Sequence, residues 1–307
     1  MNPRTLRINL ERRIPRRAWL AARAVKREAK AILVIPPTTL HALRDAPVPP
    51  GWRSGAIKTQ VHLTRFHSDV PCRIRIGGFD IVSPSADSLA FLHREIFVNL
   101  VYYFRAAGNA PVIIDGGGNI GMSIVFFKTL YPKARVLAFE PAERTFALLE
   151  TNVAGIPGVE LHRAALGPDN AVVPFYECDD PGLLRQSTSP QRLSRARETL
   201  VEQRRLSEFV TGSVDLLKLD VEGAESRVID ELAQSGAIER IQQLIVEYHH
   251  QLDPDEDSIG TFLEQLRALG FRFQLSAKEQ VKYRDSLKPR FQDVLVHAYR
   301  SRDASPV

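Results

Sequence analysis

Val112-Ile113-Ile114-Asp115-Gly116-Gly117-Gly118-Asn119-Ile120-Gly121 is the stretch that decides the fold. An apolar run ends in a carboxylate, passes through three consecutive glycines and opens onto Met122-Ser123-Ile124-Val125-Phe126-Phe127, an apolar segment suited to a helix. Strand, tight glycine turn and helix, in that order, make the ligand-binding corner of an open α/β sheet. Gly116, Gly118 and Gly121 satisfy G-x-G-x-x-G, and Glu140 follows about twenty residues on, so spacing alone admits a dinucleotide as well as a nucleoside.

Charge discriminates better. A carboxylate directly before the turn would face a pyrophosphate; at ~5 Å and an effective dielectric of ~20, each unit-charge pair opposes binding by roughly 3 kcal/mol. S-adenosylmethionine carries no phosphate. Its ammonium suits Asp115, and its carboxylate suits backbone donors where the helix begins, near Asn119 to Gly121. Asp115 could instead simply cap that helix. Glu140, at the end of the next apolar run and followed by Pro141, can accept both ribose hydroxyls, a role that would serve NAD equally.

Outward from this corner, apolar runs at 112–114, 136–139, 159–163, 216–219, 244–247, 272–275 and 294–299 read as strands. Segments 121–130, 143–153, 224–235 and 259–269 read as helices. The alternation predicts a Rossmann-like, seven-stranded, mostly parallel sheet with helices on both faces. Only a short connector precedes the last strand, which therefore inserts antiparallel beside its neighbours. Residues 185–205, rich in Ser, Gln and Arg, read as a long loop, either a lid or a solvated insertion.

The ordered series Asp115 to Gly121, Ala138-Phe139-Glu140-Pro141, Asn152, Ala164-Ala165-Leu166, Leu217 to Glu225 and Val246-Glu247-Tyr248-His249 resembles the motifs of FkbM-type methyltransferases. The block Lys218-x-Asp220-x-Glu222-Gly223-x-Glu225 is the most distinctive. One departure is Gly117-Gly118, where that family usually has Gly-Ala. The resemblance implies S-adenosylmethionine as cofactor, O-methylation of a small molecule or glycan, and Ala165 or its backbone against the adenine. The cofactor contacts expected are Asp115, Gly117, Asn119, Gly121, Glu140, Ala165 and Asp220.

Ligands in open sheets sit at the carboxyl ends of strands, which brings Asp220, Glu222, Glu225, Glu247, His249 and His250 toward the cofactor. Crowded carboxylates need relief from a cation, a proton, Lys218 or a substrate amine. Asp220 is the first candidate to orient or deprotonate the acceptor, with Glu222 and His249 as alternative bases. No compact metal-ligand signature is present, so no metal residue is assigned. Magnesium on Asp220 and Glu247 is the subordinate variant.

The remainder of the chain divides by composition. Residues 1–30 hold ten Lys or Arg against two Glu, while the rest carries 31 basic and 34 acidic residues, so the net +5 belongs to the arm and the body is −3. That arm with its Pro-rich linker is expected to end near residue 55. The apolar run 31–35 is too short to span a bilayer, so residues 1–35 suggest at most weak docking on an anionic membrane face or a partner protein. The acidic body lacks interleaved basic and aromatic residues, which argues against specific nucleic-acid recognition. Residues 56–107 are expected to form a β-ribbon from 58–65 and 72–82 and then a helix over 87–107 stopped by Gly108. A catalytic domain over 108–300 and a tail at 301–307 follow. Two cysteines in unrelated contexts, Cys72 and Cys178, fit a reducing cytoplasm.

Overall fold

A computed structural model describes residues 48–64, 70–178, 186–187, 196–250, 259–277 and 292–300 of the chain. It divides into two compact units, one comprising residues up to 70 and 85–100, the other 71–84 and 101 onward. Among the described residues no helix is long and apolar enough to cross a membrane. The basic arm and the tail lie outside the described residues.

In the first unit, helix α1 spans Trp52–Leu63, so the stretch 58–65 expected as a strand is mostly helical, and the break expected near residue 55 falls within that helix. Trp52, Ala56, Gln60 and Leu63, all buried, recur at steps of four, four and three, and this periodicity overrides the local alternation. The helix expected over 87–107 is shorter. Helix α2 spans Ala86–His93, with the Ser85 side chain accepting from the Ser88 N–H, and widens into a π turn at Arg94–Val98. Leu100 then takes a left-handed backbone (φ 55), which ends the run well before Gly108.

The second unit holds the expected sheet. Its strands are β1 (Cys72–Ile76), β2 (Phe79–Ser83), β3 (Val112–Gly116), β4 (Arg135–Phe139), β5 (Val159–His162), β6 (Ala165–Gly167), β7 (Ala171–Cys178), β8 (Gln186–Ser187), β9 (Ala196–Arg205), β10 (Leu216–Leu219), β11 (Gln243–His250), β12 (Phe271–Ala277) and β13 (Gln292–Arg300). Seven of these form one sheet in the order β12-β13-β11-β10-β3-β4-β5. The five from β11 to β5 run parallel, and β13 lies antiparallel between β11 and β12, as the short connector predicts. The order reverses at β3, with β4 on one side and β10 on the other, so the ligand crevice opens beyond their carboxyl ends.

Crossover helices are α3 (Met122–Leu130), α4 (Glu143–Val153), α5 (Glu225–Gln234) and α6 (Ile259–Ala268). Helix α3 is buried from Met122 through Lys128, as its mostly apolar sequence demands. Lys128 is accommodated because its ammonium donates to the Ala134 and Pro157 carbonyls, both at 2.7 Å. Helix α5 instead buries one stripe, Val228, Ile229 and Leu232.

Two regions of the second unit also differ from the sequence reading. The ribbon is the hairpin β1–β2 alone, turned at Gly77-Gly78. Asn152 of α4 ties it to the glycine turn after β3, donating to the Val82 and Ile120 carbonyls and accepting from the Val82 N–H. The segment expected as a loop over 185–205 contains β9, which pairs with β6 and β7 in a second, four-stranded sheet. Polar residues on both faces of β9 hid its strand character; Phe175 of β7 supplies the buried contact instead.

Candidate active site

Asp115 is the penultimate residue of β3 and Lys218 the penultimate residue of β10, and the parallel register sets them side by side. Their ion pair is 3.1 Å long and fully enclosed, with side-chain exposures of 0% and 2%. Asp115 also accepts from the Ser123 hydroxyl. Lys218 donates to the Gly117 carbonyl (2.6 Å) and the Gly116 carbonyl (3.3 Å), and lies over the Tyr102 ring at 5.1 Å. Burial opposes the charge on Lys218, yet Asp115 and Asp220 outweigh it and hold the ammonium pKa above its ordinary value. The ammonium contact expected of Asp115 is therefore not open in this structure.

The glycine loop is stitched from both sides. Gly117 and Gly118 both donate to the Phe139 carbonyl at the end of β4, and Asp220 donates its N–H to Gly116. Gly117 has φ +84, and a Cβ there would lie 2.0 Å from the Asp220 carbonyl oxygen. Asn119 (φ 48) donates its N–H to Glu140 and accepts from the Ile120 N–H, while Gly121 donates to the Gly118 carbonyl. The donors expected to take the cofactor carboxylate at Asn119 to Gly121 are thus committed within the loop.

Glu140 is 2% exposed, and its two oxygens accept from the Asn119 and Ala142 N–H groups, both at 3.0 Å. Burial raises its pKa to about 7 against the lowering effect of those two donors. Each oxygen keeps a lone pair for a further donor. A cleft opens to solvent beside it. Phe139, Ala164, Ala165, Leu166 and Phe175 form its apolar wall; Gly117, Glu140, Asp220 and Glu222 form its polar one. Of the expected cofactor contacts, Gly117, Glu140, Ala165 and Asp220 line it. Asp115, Asn119 and Gly121 do not and instead shape the loop.

At the far end, Asp220 is one quarter exposed and accepts from the Tyr102 hydroxyl at 3.3 Å, with Lys218 3.8 Å away. Burial, followed by the charges of Asp220, Glu247 and Asp115, pushes the Tyr102 pKa well above the ordinary phenolic value, so Tyr102 stays a donor. Glu225 heads α5 and accepts from the Val221 and Gly223 N–H groups and from His249 Nδ1 at 2.7 Å. His249 Nε2 faces Glu222 at 3.4 Å and Asp220 at 3.7 Å, with Asp293 at 3.9 Å. Asp220, Glu222 and His249 therefore converge as expected, their ligand atoms within 4.8 Å of one another. Among the described residues Glu247 is not part of that set, in contrast to the magnesium variant; the His250 side chain lies outside them.

Sequence reasoning missed Tyr102, Ser123 and Phe175. Tyr102 fell between residues assigned to a helix face. The alternating run Val172-Val173-Pro174-Phe175-Tyr176 carried a strand signal that would have found Phe175.

An open, mostly parallel α/β sheet with an acidic, partly apolar cleft at its switch point places the fold in the Rossmann-like class. Residues 115–273 match the methyltransferase FkbM domain, and the chain belongs to that family. Methyltransferase 1 of Beauveria bassiana is 34% identical over 163 residues, 45% of this chain and 65% of that protein. The 31-O-demethyl-FK506 methyltransferase FkbM of Streptomyces tacrolimicus is 28% identical, covering 66% of this chain and 90% of the relative. The 2-O-methyltransferase NoeI of Sinorhizobium fredii is 29% identical, covering 39% and 56%. The match thus spans less than two thirds of the first and third of these relatives.

Proposed function

We propose that this protein transfers a methyl group from S-adenosylmethionine to a hydroxyl oxygen of a small molecule or glycan. The observation that carries the cofactor reading is the polarity of the cleft: three carboxylates line it, and the N–H groups of Gly117, Gly118, Asn119, Ile120 and Gly121 are all bonded within the protein. Such a surface repels a pyrophosphate and attracts a sulfonium and an ammonium. The same argument disfavours an NAD-dependent oxidoreductase. The oxygen acceptor is supported by the names of FkbM and NoeI, both O-directed.

In this reading Glu140 accepts the ribose hydroxyls, and Ala164, Ala165 and Phe175 enclose the adenine. When bound, S-adenosylmethionine would supply an electrophilic methyl carbon to the acceptor oxygen and would leave as the neutral thioether. Asp220, held by Tyr102 and Lys218, aligns the acceptor hydroxyl, whose proton passes to Asp220 or to its neighbours Glu222 and His249. Two cysteines in unrelated contexts support a cytoplasmic location.

Thermal melts with S-adenosylhomocysteine and with NAD test the assignment. At about a hundredfold excess over Kd, S-adenosylhomocysteine should add roughly 2.7 kcal/mol of stability. Stabilisation by NAD alone overturns it.

A further inference from the structure

We propose that Asp220, Glu222 and His249 form a binding site for one divalent metal ion of the manganese or zinc type. The three residues come from two strand ends and the turn between β10 and α5, so the site is assembled only by the fold. His249 is 4% exposed. Its Nδ1 lies 2.7 Å from Glu225, a carboxylate already fixed by the Val221 and Gly223 N–H groups and therefore an acceptor. The hydrogen on Nδ1 thus belongs to that bond, and Nε2 is turned toward Asp220 and Glu222. A buried imidazole oriented through one nitrogen by a carboxylate, with its other nitrogen directed at two carboxylates, is the arrangement found around metal-bound histidine.

The spacing agrees. With metal–ligand bonds of about 2.0–2.2 Å, two atoms on one ion stand about 2.8–3.6 Å apart between right-angled and tetrahedral geometry. Nε2 is 3.4 Å from Glu222 Oε2 and 3.7 Å from Asp220 Oδ1, at or within tenths of an ångström of that range, and all three ligand atoms lie within 4.8 Å of one another, so an ion would draw the two carboxylates together. Charge agrees as well. Asp220, Glu222, Glu225 and Asp293 all lie within 4.0 Å of one imidazole, while Lys218 is already engaged by Asp115 and two carbonyls. One nitrogen and two carboxylate donors suit Mn²⁺ or Zn²⁺ better than Mg²⁺, which prefers oxygen and retains its water. Because Asp220 and Glu222 also line the cleft, an ion here would meet an acceptor hydroxyl and lower its pKa. That use rests on the methyltransferase reading; binding of the ion does not.

The test is titration of chelator-treated full-length protein with Mn²⁺, followed by electron paramagnetic resonance, in parallel with calorimetry for Zn²⁺ and Mg²⁺. The expected result is one equivalent of Mn²⁺ displaced by Zn²⁺, with Mg²⁺ at least tenfold weaker. His249→Ala and Glu222→Gln should each lose at least tenfold in Mn²⁺ affinity while melting cooperatively, and Glu225→Gln should lose about 10- to 100-fold through misorientation of the imidazole. Should His249→Ala fail to fold, Glu222→Gln, at a partly exposed position, decides alone. Absence of Mn²⁺ and Zn²⁺ binding at millimolar concentration overturns the site and leaves the cofactor reading intact if S-adenosylhomocysteine still binds. Binding undiminished in the variants places the ion elsewhere and overturns it too. Ion binding without S-adenosylhomocysteine binding upholds the site and sinks the methyltransferase reading.

Discussion

Glu140 and Asp115 are both buried carboxylates at strand ends, yet their surroundings set them different tasks. Glu140 has only backbone donors, and burial raises its pKa from 4.5 to about 7. A carboxyl whose pKa is raised on folding favours the folded state fully below pH 4.5, and that contribution fades as pH climbs through about 7. The span is about 3 kcal/mol for a fully enclosed group. The ligand-free protein should therefore lose stability between about pH 4.5 and 7, and Glu140→Gln should flatten that slope in urea melts at several pH values. Ribose hydroxyls donate best to the ionised form, so S-adenosylhomocysteine should bind more tightly as pH rises through 7; a pH-independent Kd would remove Glu140 from the contact. Asp115 instead balances Lys218 in an enclosed pair. Asp115→Asn leaves a buried ammonium with two carbonyls and a more distant Asp220, for which about 3 kcal/mol of destabilisation is expected, roughly 6–12 °C in Tm. An unchanged Tm would show that the pair contributes nothing.

At the scale of elements, the turn from β3 to α3 depends on two adjacent glycines in unequal ways. Gly117 has φ +84 and would place a Cβ 2.0 Å from the Asp220 carbonyl, a backbone atom that cannot swing aside. Gly117→Ala should part the loop from β10 and weaken S-adenosylhomocysteine at least a hundredfold. A Cβ on Gly118 meets the Leu149 side chain at 3.3 Å without a positive φ, so Gly118→Ala should bind within tenfold of the parent, in keeping with the alanine usual there in the family. Calorimetric titration of both variants checks the asymmetry, and equal losses would refute it. The same turn shows why the fold was legible in the sequence. Segments buried on both faces, such as Ile113-Ile114 and Leu244 to Val246, announce themselves by continuous hydrophobicity, and their flanking carboxylates mark the crevice. What escaped were contacts made across distance: the Lys218 to Asp115 register, the His249 to Glu225 bond 24 residues apart, and β9, whose pairing with β7 leaves Leu200 70% exposed and so erases the usual alternation.

Across the whole molecule, charge separates the chain into a basic arm and an acidic body that carries every proposed site residue. Residues 1–30 contribute +8, and the remainder nets −3, so removal of the arm inverts the sign of the protein. On the proposed reading, cofactor binding uses Glu140, Asp220 and the glycine loop, all within the second unit, whereas any attraction to anionic lipid headgroups or acidic partners is assigned to the arm. Deletion of residues 1–30 should therefore leave the Kd for S-adenosylhomocysteine within a factor of about two. It should abolish retention on vesicles containing phosphatidylserine at low salt. Each arm Lys or Arg near such a surface is worth about 1 kcal/mol and is screened within a Debye length of about 10 Å at 0.1 M salt, so binding of the full chain should fall steeply as salt is raised. Sedimentation with vesicles across a salt series measures both effects. Salt-insensitive binding would point to the apolar residues Ile32 to Ile35 instead of the arginines, and retention of the deleted protein would move the docking surface onto the acidic body, against its charge.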